Sequence, residues 1–359
     1  MEGVKRVVVK VGSNVLTRED GTLDVTRMSS IVDQIAKLRK NGLDVILVSS
    51  GAVACGRSML RSASRLDSVE QRQLFSAIGQ VRLINLYFNL FKDYGISIGQ
   101  VLTMKENFGT RMHYLNQRSC MEVMLQNKVI PVVNENDTVS VTELMFTDND
   151  ELSGLVASMM DADTLVILSN IDGIYNGSPK SQKSQVIETV SPEDDLSQYI
   201  STQKSGLGRG GMITKCGIAR KVAEEGIRVI IANGKRENIL TDLLLGSESP
   251  VHTEFVPAAH GASSVKKWIA HSSGFSKGSV MIDDNAVRAL KGKGAVSLLP
   301  VGVTDIIGEF EEGDIITIMG RNSKPIAIGR ASCSSTAAAA ELGRHDCKPL
   351  VHYDYLSLI

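Results

Sequence analysis

Five short β-branched runs of the chain are continuously apolar over most of their length rather than alternating: "VVVKV" (7–11), "DVILVSS" (44–50), "VIPVV" (129–133), "TLVIL" (164–168) and "RVIIA" (228–232). Continuous β-branched runs of this length predict strands buried on both faces, which belong to parallel sheets covered by helices. Between them the period changes. "TRMSSIVDQIAKLRKNG" (26–42) places its apolar residues at helical spacing and closes on Asn41-Gly42, a helix stop. "SVEQRQLFSAIGQVRLINLYFNLFKDYG" (68–95) predicts a second, longer helix. Alternating strands and helices predict an α/β fold: an open, mostly parallel sheet sandwiched by helices.

The pattern shifts near residue 247. "GSESPVHTEFVPAAHGASS" is rich in small and turn-forming residues and reads as a linker. Beyond it, "GSVMIDDNAVRALKGKGAVSLLPVGVTDIIGEFEEGDIITIMG" carries short runs split by glycines, predicting a small, mainly-β domain of roughly 80 residues. The expected boundaries are 1–256 for the first domain, 257–274 for the linker and 275–359 for the second domain.

Composition narrows the function. With 39 basic and 40 acidic residues the net charge is −1, so no general field draws the chain to nucleic acid or membrane. The five cysteines are odd in number, scattered and without CxxC spacing, which reads as reduced thiols in a cytoplasmic protein. The N-terminus "MEGVKRVVVKVGSN" is too short and charged for a signal peptide, and no run of 18 apolar residues predicts a membrane span. The six histidines do not cluster and HExxH is absent, so no zinc site is expected.

In open α/β sheets ligands bind beyond the carboxyl ends of the strands. Four stretches there could carry chemistry. In "KVGSN", Lys10 lies in an apolar strand, where an ammonium is costly unless an anion meets it, and Gly12 lets a ligand approach the backbone. The competing reading is a strand-end lysine that reaches water. In "VSSGAVACG", Ser50 and Gly51 enter a helix and form either an anion pocket or a plain N-cap. A serine nucleophile is disfavoured, because the GxSxG elbow is missing. "SGLGRGGMITKCGIARK" (205–221) is a glycine-rich loop opening a helix that bears Lys215. It is a phosphate cradle in type, though neither a Walker A loop nor a Rossmann fingerprint, and a surface hinge would look the same. Lastly, Asn134, Glu135, Asn136, Asp137, Asp148, Asn149 and Asp150 fall within 17 residues. EF-hand spacing is absent, and a solvated acidic loop is the default for any one of them.

In order and spacing, "VVVKVGSNVL", "VSSGAVACGR", "IPVVNENDTV", "FTDNDELSGLVA", "SGLGRGGMITK" and "KKWI" (266–269) resemble the amino acid kinase family over nearly the whole chain. Within it they are most similar to the branch that phosphorylates L-glutamate. "SLLPVGV" and "GDIITI" resemble a PUA domain. The resemblance implies ATP-dependent phosphorylation of the glutamate γ-carboxylate with Mg²⁺, as the first step of proline synthesis. It further implies inhibition by proline and a dimer or tetramer formed through the kinase domain.

Carried onto this sequence, the resemblance makes Lys10 and Lys215 phosphate-stabilising and Asp150 the residue that orients them. Ser50, Gly51, Asn134, Asp137, Asp148 and Asn149 become glutamate-binding positions. Gly12, Ser169, Asn170, Arg209, Gly210, Gly211, Met212, Ile213 and Thr214 join the two lysines at the nucleotide. Arg209, Asn170 and Thr147 depart from the residues common at those positions.

A carboxylate nucleophile is already ionised at neutral pH and needs no general base, which agrees with a site lacking a histidine. A free ammonium on the substrate suits Asp137 and Asp148, which disfavours acetylglutamate kinase, the nearest alternative. RNA binding led by the C-terminal domain is the alternative of another class. It is disfavoured because Lys291 and Lys293 are offset by Asp283, Asp284, Glu309, Glu311, Glu312 and Asp314.

Overall fold

All five continuous apolar runs are strands of one sheet. The computed structural model describes every residue except 1–3, 61–66, 140–145, 147, 179–180, 182, 195, 197–211, 247–249, 260–265, 267, 270–274, 293 and 346. The chain divides into two compact units. One comprises residues 1–105 and 116–261, and the other residues 106–115 and 262–359.

In the first unit the strands are β1 (Arg6–Val11), β2 (Asp44–Ser49), β3 (Ile98–Thr103), β4 (Ile130–Glu135), β5 (Thr164–Ser169), β6 (Thr189–Val190), β7 (Arg228–Asn233) and β8 (His252–Phe255). Their order across the sheet is β3-β4-β2-β1-β5-β7-β8-β6. Pairing is parallel from β3 through β7, and β8 runs antiparallel to β7. β4 and β5 are buried throughout, and β1 and β2 from their second residue, which is why their sequences do not alternate. β3, with "IGQVLT", lies at the sheet edge and keeps only its last residue buried.

The helices of this unit are α1 (Ser13–Leu16), α2 (Val25–Lys40), α3 (Ala52–Met59), α4 (Ser68–Lys92), α5 (Arg111–Gln126), α6 (Asn149–Met159), α7 (Met212–Glu224) and α8 (Ile239–Leu244), although the first turn of α5 is grouped with the second unit. α2 is capped by Asp24 and ends on three basic residues, as the helix dipole favours. α4 opens with a capping box, Asp67 and Glu70 satisfying each other's end of the turn. α3 and α4 touch backbone to backbone. A Cβ on Gly79 would come 1.8 Å from the Ala52 carbonyl oxygen, and one on Gly56 equally close to that of Phe75.

The second unit carries a five-stranded sheet of β9 (Gly278–Ile282), β10 (Val303–Ile307), β11 (Ile315–Met319), β12 (Pro325–Arg330) and β13 (Leu356–Leu358), ordered β10-β9-β11-β12-β13. Helices α9 (Asp284–Lys291) and α10 (Ser335–Ala340) accompany it, with its own apolar core around Val280, Ile316, Ile318 and Val351. Within this unit the Trp268 indole donates to the Phe108 carbonyl at 2.9 Å, and the Arg111 guanidinium lies over the rings of Tyr114 and Trp268. Among the described residues no helix is long and apolar enough to cross a membrane.

Candidate functional site

Because the five central pairings are parallel, the strands' carboxyl ends share one edge, and the chain leaves β1 toward β2 on one side and returns at β5 on the other. That is a topological switch point, where a crevice opens. Lys10, the fifth residue of β1, is only 5% exposed. It lies level with Val48 and Ile167 on the flanking strands. Its Nζ meets Asp150 Oδ1 at 2.5 Å, and Asp150 Oδ2 accepts from Lys215 Nζ. Asp150 is fully buried in the first turn of α6, and Lys215 stands in the first turn of α7. Three segments far apart in sequence thus converge on one carboxylate.

The charges tune one another. Burial pushes the Lys10 ammonium down from its ordinary value, and Asp150 offsets part of that. Burial alone would raise the Asp150 carboxyl. The ammoniums of Lys10 and Lys215 prevail and hold it well below the usual carboxylate range. The two ammoniums share the single Asp150 carboxylate and both feel the charge of Asp148 as well, so the lysines are held beside the crevice without either being fully neutralised by Asp150.

Asp148 caps α6, its Oδ1 accepting from the amides of Asp150 and Glu151 at 2.9 and 3.1 Å. Its buried Oδ2 has no hydrogen-bond partner among the described residues. Burial, followed by the charge of Asp150, pushes the Asp148 carboxyl up to about 6. Glu151, the other acid of that turn, pairs with Lys105 at 3.2 Å.

A second network ties Asn149 to the neighbouring strand ends. Its amide nitrogen lies 2.9 Å from Ser50 Oγ, 2.9 Å from Asn134 Oδ1 and 3.2 Å from the Ser49 carbonyl. Gly51 follows Ser50 with φ of +106°, a conformation that favours glycine and lets the chain turn sharply from β2 into α3. Asp137 accepts from Arg72 and, at 3.2 Å, from Ser76. Arg72 also donates to Glu135 at 2.8 Å, and Glu135 accepts the Phe146 amide at 3.1 Å, just ahead of the Asp148 turn.

On the other side of β1, the Gly12 amide donates to the Leu168 carbonyl at 3.2 Å, and a Cβ on Gly12 would stand 3.3 Å from that oxygen. This places Gly12 beside Ser169 at the end of β5, with exposed Asn170 following. Met212, Ile213 and Thr214 form the start of α7 together with Lys215. Among the described residues no hydrogen bond joins Ser169, Asn170 or Met212–Thr214 to the lysine cluster. Arg209, Gly210 and Gly211, with Gly206, Gly208 and Thr147, lie outside the described residues.

Several participants escape sequence reading. Arg72, Ser76 and Gln80 recur every fourth residue of α4 and so share one face; Arg72 and Ser76 hold Asp137, and Gln80 accepts from Asn134 at 2.9 Å. That polar spacing was the available signal. Asp172, which accepts from Asn233 at 3.0 Å and Arg236 at 2.9 Å, gathers at the ends of β5 and β7 with no motif to mark it.

Among the described residues no three His, Cys, Asp or Glu side chains are grouped to hold a metal. The carboxylates of the cluster face lysines and amides instead.

The comparisons agree with this architecture. Residues 5–233 match the amino acid kinase family and residues 278–350 the PUA domain. A glutamate 5-kinase of Bacteroides thetaiotaomicron is 62% identical over 98% of both chains. One of Chlorobaculum tepidum is 48% identical over 99% of this chain and 98% of its own. Among solved structures, carbamate kinase from Giardia lamblia bound to AMP-PNP is similar with a TM-score of 0.53. It is 15% identical and is matched over 72% of this chain and all of its own, a likeness of fold. Domain content and identity over nearly the whole chain therefore converge: the chain belongs to the amino acid kinase family, on its glutamate 5-kinase branch.

Proposed function

We propose that the protein transfers the γ-phosphoryl group of ATP to the γ-carboxylate of L-glutamate, giving L-glutamyl 5-phosphate and ADP. The observation that carries this reading is the buried Lys10–Asp150–Lys215 cluster at the switch point of a fold shared with glutamate 5-kinases. A carboxylate oxygen attacks the γ-phosphorus in line, and the bond to the β,γ-bridging oxygen breaks as ADP leaves. The nucleophile carries no proton at neutral pH, so no base is needed. The difficulty is repulsion between two anions, and catalysis rests on positioning and charge.

Lys10 and Lys215 hold positive charge where the transferring oxygens gather it, and Asp150 fixes both ammoniums. Gly12, Ser169, Asn170 and the segment 209–214 border the nucleotide. Magnesium would ride on the nucleotide phosphates and neutralise part of their charge, as this ion commonly does with few protein ligands. The substrate ammonium falls to Asp148 Oδ2, a buried carboxylate oxygen without a hydrogen-bond partner among the described residues. Asp137, engaged by Arg72 and Ser76, adds negative charge on the glutamate side, while Ser50, Asn134 and Asn149 orient the substrate.

The same reading makes the protein a cytoplasmic enzyme of proline synthesis, inhibited by proline and oligomeric through residues 1–256. The test is direct. With ATP, Mg²⁺ and L-glutamate, hydroxylamine should trap γ-glutamyl hydroxamate, and proline should reduce the yield. ADP formed only with N-acetylglutamate or a nucleotide would refute the assignment.

A further inference from the structure

α6 and α7 both begin at the ligand edge of the sheet, and their contacts form three rungs. Asp150, Gly154 and Ser158 recur every fourth residue along α6 and share one face. The first rung is the Asp150–Lys215 pair. At the second, a Cβ on Gly154 would come 2.9 Å from the γ-methyl of Ile218 and 3.0 Å from that of Val222, so any side chain there would push these two methyls of α7 aside. At the third, Ser158 Oγ donates to Glu225 Oε2. Both residues of this last rung are buried.

The third rung lies eight residues from Asp150, about 12 Å along the helix, and touches nothing in the cluster. Its chemistry is costly where it stands. Glu225 follows the last residue of α7, the end of a helix that disfavours an anion, and a buried carboxylate carries a desolvation penalty. Lys221, one turn earlier, offsets part of its charge and is itself pushed down by burial. Neither helix propensity nor sheet packing calls for an acid there.

We infer that Glu225 and Ser158, with Gly154, are positioning residues that fix how far α7 slides along α6 and so set where the Lys215 ammonium stands. A helix is stiff along its axis, and a slip of one residue would carry Lys215 by about 1.5 Å. A displacement near 1 Å in a site of this kind costs on the order of a hundredfold in rate. The inference rests on the phosphoryl-transfer role of Lys215 proposed above.

The experiment is a double-mutant cycle on the full chain. Ser158→Ala and Glu225→Gln are each made alone and in a Lys215→Ala background. The hydroxamate assay supplies kcat and both KM values, and thermal unfolding supplies Tm. In the wild-type background Ser158→Ala should lower kcat by about tenfold, with both KM values changed less than about twofold. Glu225→Gln, which keeps an acceptor oxygen for Ser158, should lose less. In the Lys215→Ala background neither substitution should change kcat beyond about twofold, because the group they position is gone.

An equal loss in both backgrounds, or an unchanged kcat for both variants, overturns the inference alone and leaves the reaction standing. A Lys215→Ala enzyme at wild-type kcat overturns both. If Ser158→Ala fails to fold, Glu225→Ala, which removes the acceptor, takes its place under the same criteria.

Discussion

Replacing Asp148 by Asn separates its charge from its capping role. Asparagine caps a helix as well as aspartate does, so the bonds from the amides of Asp150 and Glu151 can persist. What disappears is a carboxylate whose pKa is pushed up to about 6 in the folded chain, well above the ordinary range of an exposed aspartate. A native value above the unfolded one means that Asp148 stabilises the fold in acid and that this contribution is lost as pH rises through 6. Between about pH 4.5 and 7.5 the loss amounts to about 2 kcal/mol, from a shift of roughly two units damped by the unfolded chain's own titration. Urea unfolding followed by circular dichroism at those two pH values should therefore show the Asn variant gaining about 2 kcal/mol on the wild type at the higher pH. The same change removes the proposed partner of the substrate ammonium. At pH 7.5 the glutamate KM should rise roughly 10- to 100-fold, the range for a charged hydrogen bond. Wild-type glutamate binding should itself weaken below about pH 6. Parallel stability curves for the two proteins would refute the view that Asp148 is held ionised at a cost.

Three further outcomes follow from the geometry. Asp150→Asn leaves the Lys10 and Lys215 ammoniums facing each other with Lys10 buried, so kcat should collapse and stability should fall by about 3–5 kcal/mol in urea unfolding. Gly79→Ala would drive a methyl group into the Ala52 carbonyl, and its Tm should fall by more than any surface substitution on α4, or the protein should not accumulate in soluble form. Arg72→Met removes the donor shared by Glu135 and Asp137, and the glutamate KM should rise at least tenfold while the ATP KM stays within about twofold; a shift confined to ATP would contradict the placement of Asp137.

Much of the sheet was legible because its central strands are buried on both faces, and burial on both faces writes itself as an unbroken apolar run. β3 did not announce itself, since an edge strand with Gly99 and Gln100 has only part of one face to hide. β8 hid inside a stretch rich in turn residues, where four residues pairing with β7 suffice to make a strand. At the site, Lys10 stood out because an ammonium inside an apolar run has to be explained, whereas Asp148, Asn149 and Asp150 stood out only as a group and took their separate roles from the family resemblance. Arg72, Ser76 and Gln80 carry no such mark. Polar residues on a long amphipathic helix normally face water, and only the fold reveals that this side of α4 faces strand ends instead. Glu225 was silent for the same reason, being one acid among several near the end of a helix.

The cluster around Asp150 also bears on how the protein comes into being. Lys10 and Asp150 are separated by 140 residues and Asp150 and Lys215 by 65, and β1, which pairs with β5, cannot complete its neighbours until more than 160 residues exist. Closing such long loops is slow, because chain entropy is spent before any contact is gained. A growing chain therefore places Lys10 first, waits for its counter-charge, and receives the second lysine last. In refolding, where the whole chain is present, the same long separations predict that catalytic competence comes late. Recovery of turnover after dilution from denaturant should trail the return of helical signal, so activity serves as a clock for the final closure of the sheet.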